Sequence, residues 1–154
     1  MSRKRTNPVT YSISDKYGFK GVISTNNTDE ETNVAFLRVK ARIIPRTEKK
    51  NYLQEILFIR KTLTDHIIKC IKSNDNYTNR YMVEVSLPQM LYYNEISFIH
   101  YEAFVTSAEN QTLKAHKEHL SHIFKQTNEK LREILKTFDF EVIFIKKDNT
   151  KKTE

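Results

Sequence analysis

The stretch Val34-Ala-Phe-Leu-Arg-Val-Lys-Ala-Arg-Ile-Ile-Pro45 decides how the rest of the chain is read. Ala35, Leu37, Val39, Ala41 and Ile43 alternate with Phe36, Arg38, Lys40, Arg42 and Ile44. That period of two shows one face of a β-strand to a core and the other outward. Pro45, which has no N–H for a ladder, ends the strand. The inward set is purely apolar and the outward set is mostly cationic, so this strand carries both the fold argument and the functional one.

Toward the C-terminus, Thr47 reads as an N-cap. Leu53, Ile56, Leu57, Leu63, Ile67, Cys70 and Ile71 follow at three- and four-residue steps, the stripe of a long amphipathic helix. Ser73-Asn-Asp-Asn76 stops it. Tyr81, Val83, Val85 and Leu87 then alternate with Met82, Glu84 and Ser86 as a second strand, which Pro88 breaks; Gln89 to Asn94 reads as the loop to a third, Glu95 to Val105. Thr106 and Glu109 make a T-x-x-E capping box ahead of a second helix striped by Leu113, His116, Leu120, Ile123, Phe124, Thr127, Leu131, Ile134 and Leu135. Phe138 to Ile145 supplies a fourth strand.

The order from residue 34 is thus β-α-β-β-α-β, which predicts an α+β, ferredoxin-like fold: a four-stranded antiparallel sheet with two long helices on one face. Residues 34–147 form this single domain and 148–154 a disordered Lys-rich tail. Residues 1–33 form a basic arm and linker that is flexible or holds a hairpin at 9–23, where Val9, Tyr11 and Ile13 alternate ahead of the turn-rich Asp15-Lys-Tyr-Gly18. An isolated hairpin is marginal in water, so this one would need a surface to dock on.

Composition narrows the function classes. Of 154 residues, 26 are Lys or Arg and 19 Asp or Glu, giving +7 and a pI near 9.4. Much of that excess lies in Arg3, Lys4, Arg5 and the end after Lys146. The only glycines, Gly18 and Gly21, leave no glycine-rich phosphate loop, dinucleotide fingerprint or nucleophile elbow beyond residue 21. One cysteine precludes an internal disulfide, no run is apolar enough to span a bilayer, and the N-terminus has no apolar signal core. The expectation is a cytoplasmic protein with no membrane partner, no cofactor, no metal and no enzymatic activity.

If the helices cover the apolar side of the first strand, Phe36, Arg38, Lys40 and Arg42 share its open face. Cations at every second residue recur every 6 to 7 Å or so, a pitch suited to the charges of an extended phosphodiester, and a neighbouring aromatic offers a base-stacking plane. Phe98 joins that face if Ile99, Tyr101, Ala103 and Val105 point inward. The topology is similar to that of the RNA recognition motif, whose first and third strands carry stacking aromatics. That family's third-strand signature opens on a basic residue and glycine; Ser97 to Phe104 has neither and carries Glu102, so the resemblance is confined to topology. The leading expectation is a small non-enzymatic protein that binds RNA or DNA through Arg3, Lys4, Arg5, Phe36, Arg38, Lys40, Arg42, Arg46 and Phe98. The bland counterpart is a solvated face balanced by Glu84, Glu102 and Glu141.

The alternative function is a protein-binding module or homodimer that docks through the sheet face or through Met90, Leu91, Tyr92 and Tyr93, a loop rich in interface-type side chains. Two further groups read as structural. His116, His119 and His122, at i, i+3 and i+6, fan over roughly 120° instead of converging and form a helix-surface cluster. Cys70 lies on an apolar stripe, where a buried thiol is the ordinary outcome.

Overall fold

The computed structural model describes residues 9–25, 31–32, 34–46, 51–72, 81–93, 96–108 and 111–144. Arg3, Lys4, Arg5, the Thr47 cap and the tail from 148 lie outside these. Among the described residues nine strands and two helices follow one another: β1 (Val9–Ser14), β2 (Lys20–Thr25), β3 (Glu31–Thr32), β4 (Ala35–Pro45), α1 (Leu53–Lys72), β5 (Tyr81–Val85), β6 (Gln89–Tyr93), β7 (Ile96–Ser107), β8 (Gln111–Thr112), α2 (Leu113–Phe138) and β9 (Phe140–Ile143). No described helix is long and apolar enough to cross a membrane.

The fold is α+β, but the expected four-stranded ferredoxin-like sheet is corrected to an antiparallel sheet of seven strands. At its centre β4 and β7 pair from Ala35↔Ser107 to Ile43↔Ile99. The first reason for the larger sheet is the hairpin. Strands β1 and β2 are part of the sheet itself, β2 running along β4 from Lys20↔Lys40 to Thr25↔Ala35. Docking lets Phe19 and Ile23 enter the core, which compensates the ordering entropy that an isolated hairpin could not. Its turn is locked by Asp15, whose Oδ1 accepts from the Tyr17 and Phe19 amides at 2.9 and 3.1 Å, and Gly18 takes a φ of 110°.

The second reason is strand length. β7 has twelve residues and β5 only five, so most of that edge of β7 would stay unpaired if the chain left the sheet at Pro88. Instead Gln89–Tyr93, expected as a loop, returns as β6 and pairs from Gln89↔His100 to Tyr93↔Ile96. Val85↔Ala103 and Gln89↔His100 leave three residues, 86–88, opposite two, 101–102. That one-residue excess is a bulge, and a proline without an N–H is tolerated within it. On the other side of β4, β9 pairs end to end with β2's stretch, from Arg42↔Ile143 to Pro45↔Phe140.

Both helices bury their stripes against the same sheet face. Ile56, Ile59, Leu63, Ile67 and Ile71 of α1 and Leu120, Ile123, Phe124, Leu131, Ile134 and Leu135 of α2 join Leu37, Val39, Ile43, Ile99, Tyr101 and Val105 in one core. The second helix does not start at the expected Thr106–Glu109 box, because Thr106 is still inside β7. Thr112 is its cap, accepting from the Ala115 amide at 3.1 Å. With no glycine available, Asp139 adopts the left-handed conformation (φ 60°) and its amide returns to the Leu135 and Lys136 carbonyls.

Candidate nucleic-acid interface

Neither helix covers the other face of the sheet. On β4 it presents Phe36, Arg38, Lys40 and Arg42, and the register sets them opposite Thr106, Phe104, Glu102 and His100 of β7. On the other flank Lys20 lies beside Lys40 and Val22 beside Arg38. Phe36 is 40% exposed. The described cations of this face, Lys20, Arg38, Lys40, Arg42 and Arg46, outnumber its acids, Glu84, Glu102 and Glu141.

The cations are held in differing ways. Arg38 Nη2 lies 2.7 Å from Glu102 Oε2, and His100 Nε2 lies 3.2 Å from the same oxygen. Partial burial pushes the Glu102 carboxyl up, but the hydrogen bonds from Arg38 and His100 outweigh it and hold the group below the ordinary carboxylate range. The Arg38 guanidinium also stands 5.7 Å from the Phe104 ring centre. Arg46 pairs with Glu141. Arg42 lies over Phe98 at 4.8 Å, and Phe98, on the open face, is only 4% exposed. Phe98 is therefore a platform beneath Arg42, while Phe36 is the ring with an accessible plane. Lys40 and Lys20 stand side by side at the centre of the face.

Met90, Leu91 and Tyr92 are exposed, Tyr92 at 71%, and Tyr93 closes β6 opposite Ile96. The register puts Met90 and Tyr92 on the helix side of the sheet and Leu91 on the open side.

The histidines correct the expected surface cluster: His116 and His119 are buried and only His122 is exposed. His119 Nδ1 lies 2.5 Å from the Tyr81 hydroxyl, with the two rings edge to face. Burial, with smaller contributions from His122 and His116, lowers the His119 pKa to about 4. Among the described residues no group of three or more His, Cys, Asp or Glu is arranged to hold a metal ion.

On α1, Cys70 Sγ lies 3.6 Å from His66 Nε2, a pair legible as i, i+4 that the sequence reading did not make. Burial raises the thiol pKa and lowers that of His66, so the pair favours thiol plus neutral imidazole over a reactive ion pair. A cleft of about 450 Å³ between the β1–β2 turn and α2 is lined by Asp15, Tyr17, Asn128 and Arg132. There Asn128 Nδ2 donates to Asp15 Oδ2 at 3.1 Å and Arg132 stacks 3.3 Å from the Tyr17 ring centre. These contacts tie the hairpin turn to the helix.

Comparison with known protein families, curated proteins and solved structures finds no match to this chain.

Proposed function

We propose that the protein binds single-stranded RNA or DNA on the open sheet face, with little sequence preference and without catalysis. The observation that carries this reading is the in-register group Phe36, Arg38, Lys40 and Lys20, an accessible aromatic plane beside cations at β-strand pitch on a face that neither described helix covers. Bases stack on Phe36, while Lys20, Lys40 and Arg42 contact phosphates. Arg38 is shared between the strand and Glu102, so it contributes less than an unpaired cation.

The test is fluorescence anisotropy with a labelled single strand, titrated with salt. Replacing Arg38, Lys40 and Arg42 together by Ser removes two to three phosphate contacts. It should lower the slope of log affinity against log salt by roughly 1.4 to 2.1, at about 0.7 per contact. Phe36→Ala should weaken binding by roughly 1 to 3 kcal/mol with the slope unchanged, because stacking releases no counterions. An unaltered slope in a triple variant that melts like the parent would assign the row to solvation alone.

A further inference from the structure

We infer that the cleft between the β1–β2 turn and α2 is a binding site for a nucleoside monophosphate. Its volume of about 450 Å³ lies within the range of small-molecule sites. One wall is the turn, with Asp15, Lys16 and Tyr17, and the other is α2, with Lys125, Asn128, Glu129 and Arg132. The α2 set is spaced i, i+3, i+4 and i+7, so it shares one side of the helix over a length of roughly 10 Å.

The first observation that points to a ligand is Asn128. It is 2% exposed, and its Nδ2 donates to Asp15 Oδ2 at 3.1 Å, linking the two walls. Its Oδ1 is buried with no hydrogen-bond partner among the described residues. The reverse amide orientation would set an oxygen against the Asp15 carboxylate, so the orphan is the carbonyl oxygen. A buried acceptor left without a donor is costly, and folded proteins keep few of them. A ligand N–H entering the cleft satisfies this one.

The second observation is charge. Lys16, Lys125 and Arg132 line the cleft, and among the described residues none of the three lies within ion-pair distance of a carboxylate. Asp15 is occupied by three donors, the amides of Tyr17 and Phe19 and the Asn128 side chain. That leaves Glu129 as the one uncommitted carboxylate of the lining, beside three cations. Such a balance suits a phosphate together with sugar hydroxyls, which carboxylates accept from in nucleotide sites. The Arg132 guanidinium, 3.3 Å from the Tyr17 ring centre, is a flat cation backed by an aromatic, a surface on which a base stacks. Phosphate, ribose, base plane and base donor each have a matching group in one cleft, whereas an inorganic anion uses only the first. The inference does not rest on single-strand binding at the open sheet face.

Isothermal titration of the full chain with AMP, CMP, GMP and UMP tests it. At least one should bind with a dissociation constant of about 1 mM or tighter, and inorganic phosphate and the matching nucleoside about tenfold more weakly. The 2′-deoxy form should lose about fivefold, and Glu129→Ala should erase that difference. Lys125→Ala should weaken the nucleotide about five- to tenfold. Both substitutions are at exposed positions of α2, where alanine favours the helix and the fold is kept. Lys117→Ala, two turns earlier on α2 and stacked on Tyr11, should leave affinity unchanged. So should Lys40→Ser, which removes an open-face cation and therefore separates this site from strand binding. A 5′-phosphorylated oligonucleotide that displaces the nucleotide, where its unphosphorylated form does not, identifies a strand end as the natural source; displacement by neither identifies the free nucleotide. No binding of any of the four at about 5 mM, inorganic phosphate as tight as the nucleotide, or equal affinity for the 2′-deoxy form would overturn the inference. So would parental affinity in Lys125→Ala, a ribose preference that persists in Glu129→Ala, or equal displacement by both oligonucleotides.

Discussion

His119→Gln tests the buried histidine by removing its titration while keeping a side chain that can meet the Tyr81 hydroxyl. In the folded chain the imidazole protonates only near pH 4, against 6.5 ordinarily, because burial penalises the imidazolium and His122 and His116 add to the penalty. The unfolded chain therefore binds the extra proton between pH 6.5 and 4, and stability falls as pH drops through that window. At about 1.4 kcal/mol per unit, the loss between pH 7 and pH 4.5 is roughly 2 to 3 kcal/mol. For a chain of this size that corresponds to a fall in melting temperature of roughly 5 to 10 °C. Paired urea titrations at the two pH values, for parent and variant, measure it. The variant should be weaker at pH 7 but lose roughly 2 to 3 kcal/mol less on acidification, since the remaining acid-sensitive groups, Glu102 and His66 among them, are common to both. Equal acid losses in the two proteins would refute the assignment of a buried, neutral His119.

Glu102→Gln frees Arg38 and deletes an acid from the open face, so single-strand affinity should rise about 2- to 5-fold, the reach of a partly exposed ion pair, as read by anisotropy at fixed salt. Gly21→Ala should destabilise the fold by about 1 to 3 kcal/mol in urea, because its Cβ would stand 2.8 Å from Phe124 Cε1 and 3.0 Å from Ile13 Cγ1. Asn128→Ala removes the bond to Asp15 that ties the hairpin turn to α2 and should cost about 1 to 2 kcal/mol by the same assay. Cys70 should react with iodoacetamide more slowly at pH 8 than a free thiol, followed by mass spectrometry, because burial keeps it protonated.

The legible parts of the fold were those in which one periodicity spans many residues. The stripe from His116 to Leu135 and the alternation through β4 each repeat often enough that local exceptions do not matter, whereas β7 is apolar on both sides and its inward set is fixed only by its register with β4. What escaped the sequence was governed by pairing partners. Nothing local to Tyr11 or Ile23 says that β4 has an edge for their hairpin. Nothing local to Gln89–Tyr93 says that β7 extends far enough to hold a second strand after a proline. The helix start was misplaced by six residues because Thr106 and Thr112 both precede helical pattern, and it is the ladders to Phe36 and Met82 that keep Thr106 in a strand. At the candidate site, the outward direction of Phe36, Arg38, Lys40 and Arg42 followed from alternation alone. The seat of Phe98 beneath Arg42 and the capture of Arg38 by Glu102 depend on cross-strand register, which one strand's sequence does not encode.

One edge of β4 is shared by β2 and β9, and these come from opposite ends of the described chain. Synthesis is directional, so β1, β2 and β4 emerge early enough to form a three-stranded meander before either helix is complete. The segment of β4 from Arg42 to Pro45 must wait for β9, the last described strand to leave the ribosome. Until then Ile43 and the place that Phe140 will fill face solvent, and the nascent sheet has an apolar, unpaired notch beside its finished portion. A chaperone that recognises exposed strand edges would find its binding window there, opened by the completion of β4 and closed by the arrival of four residues.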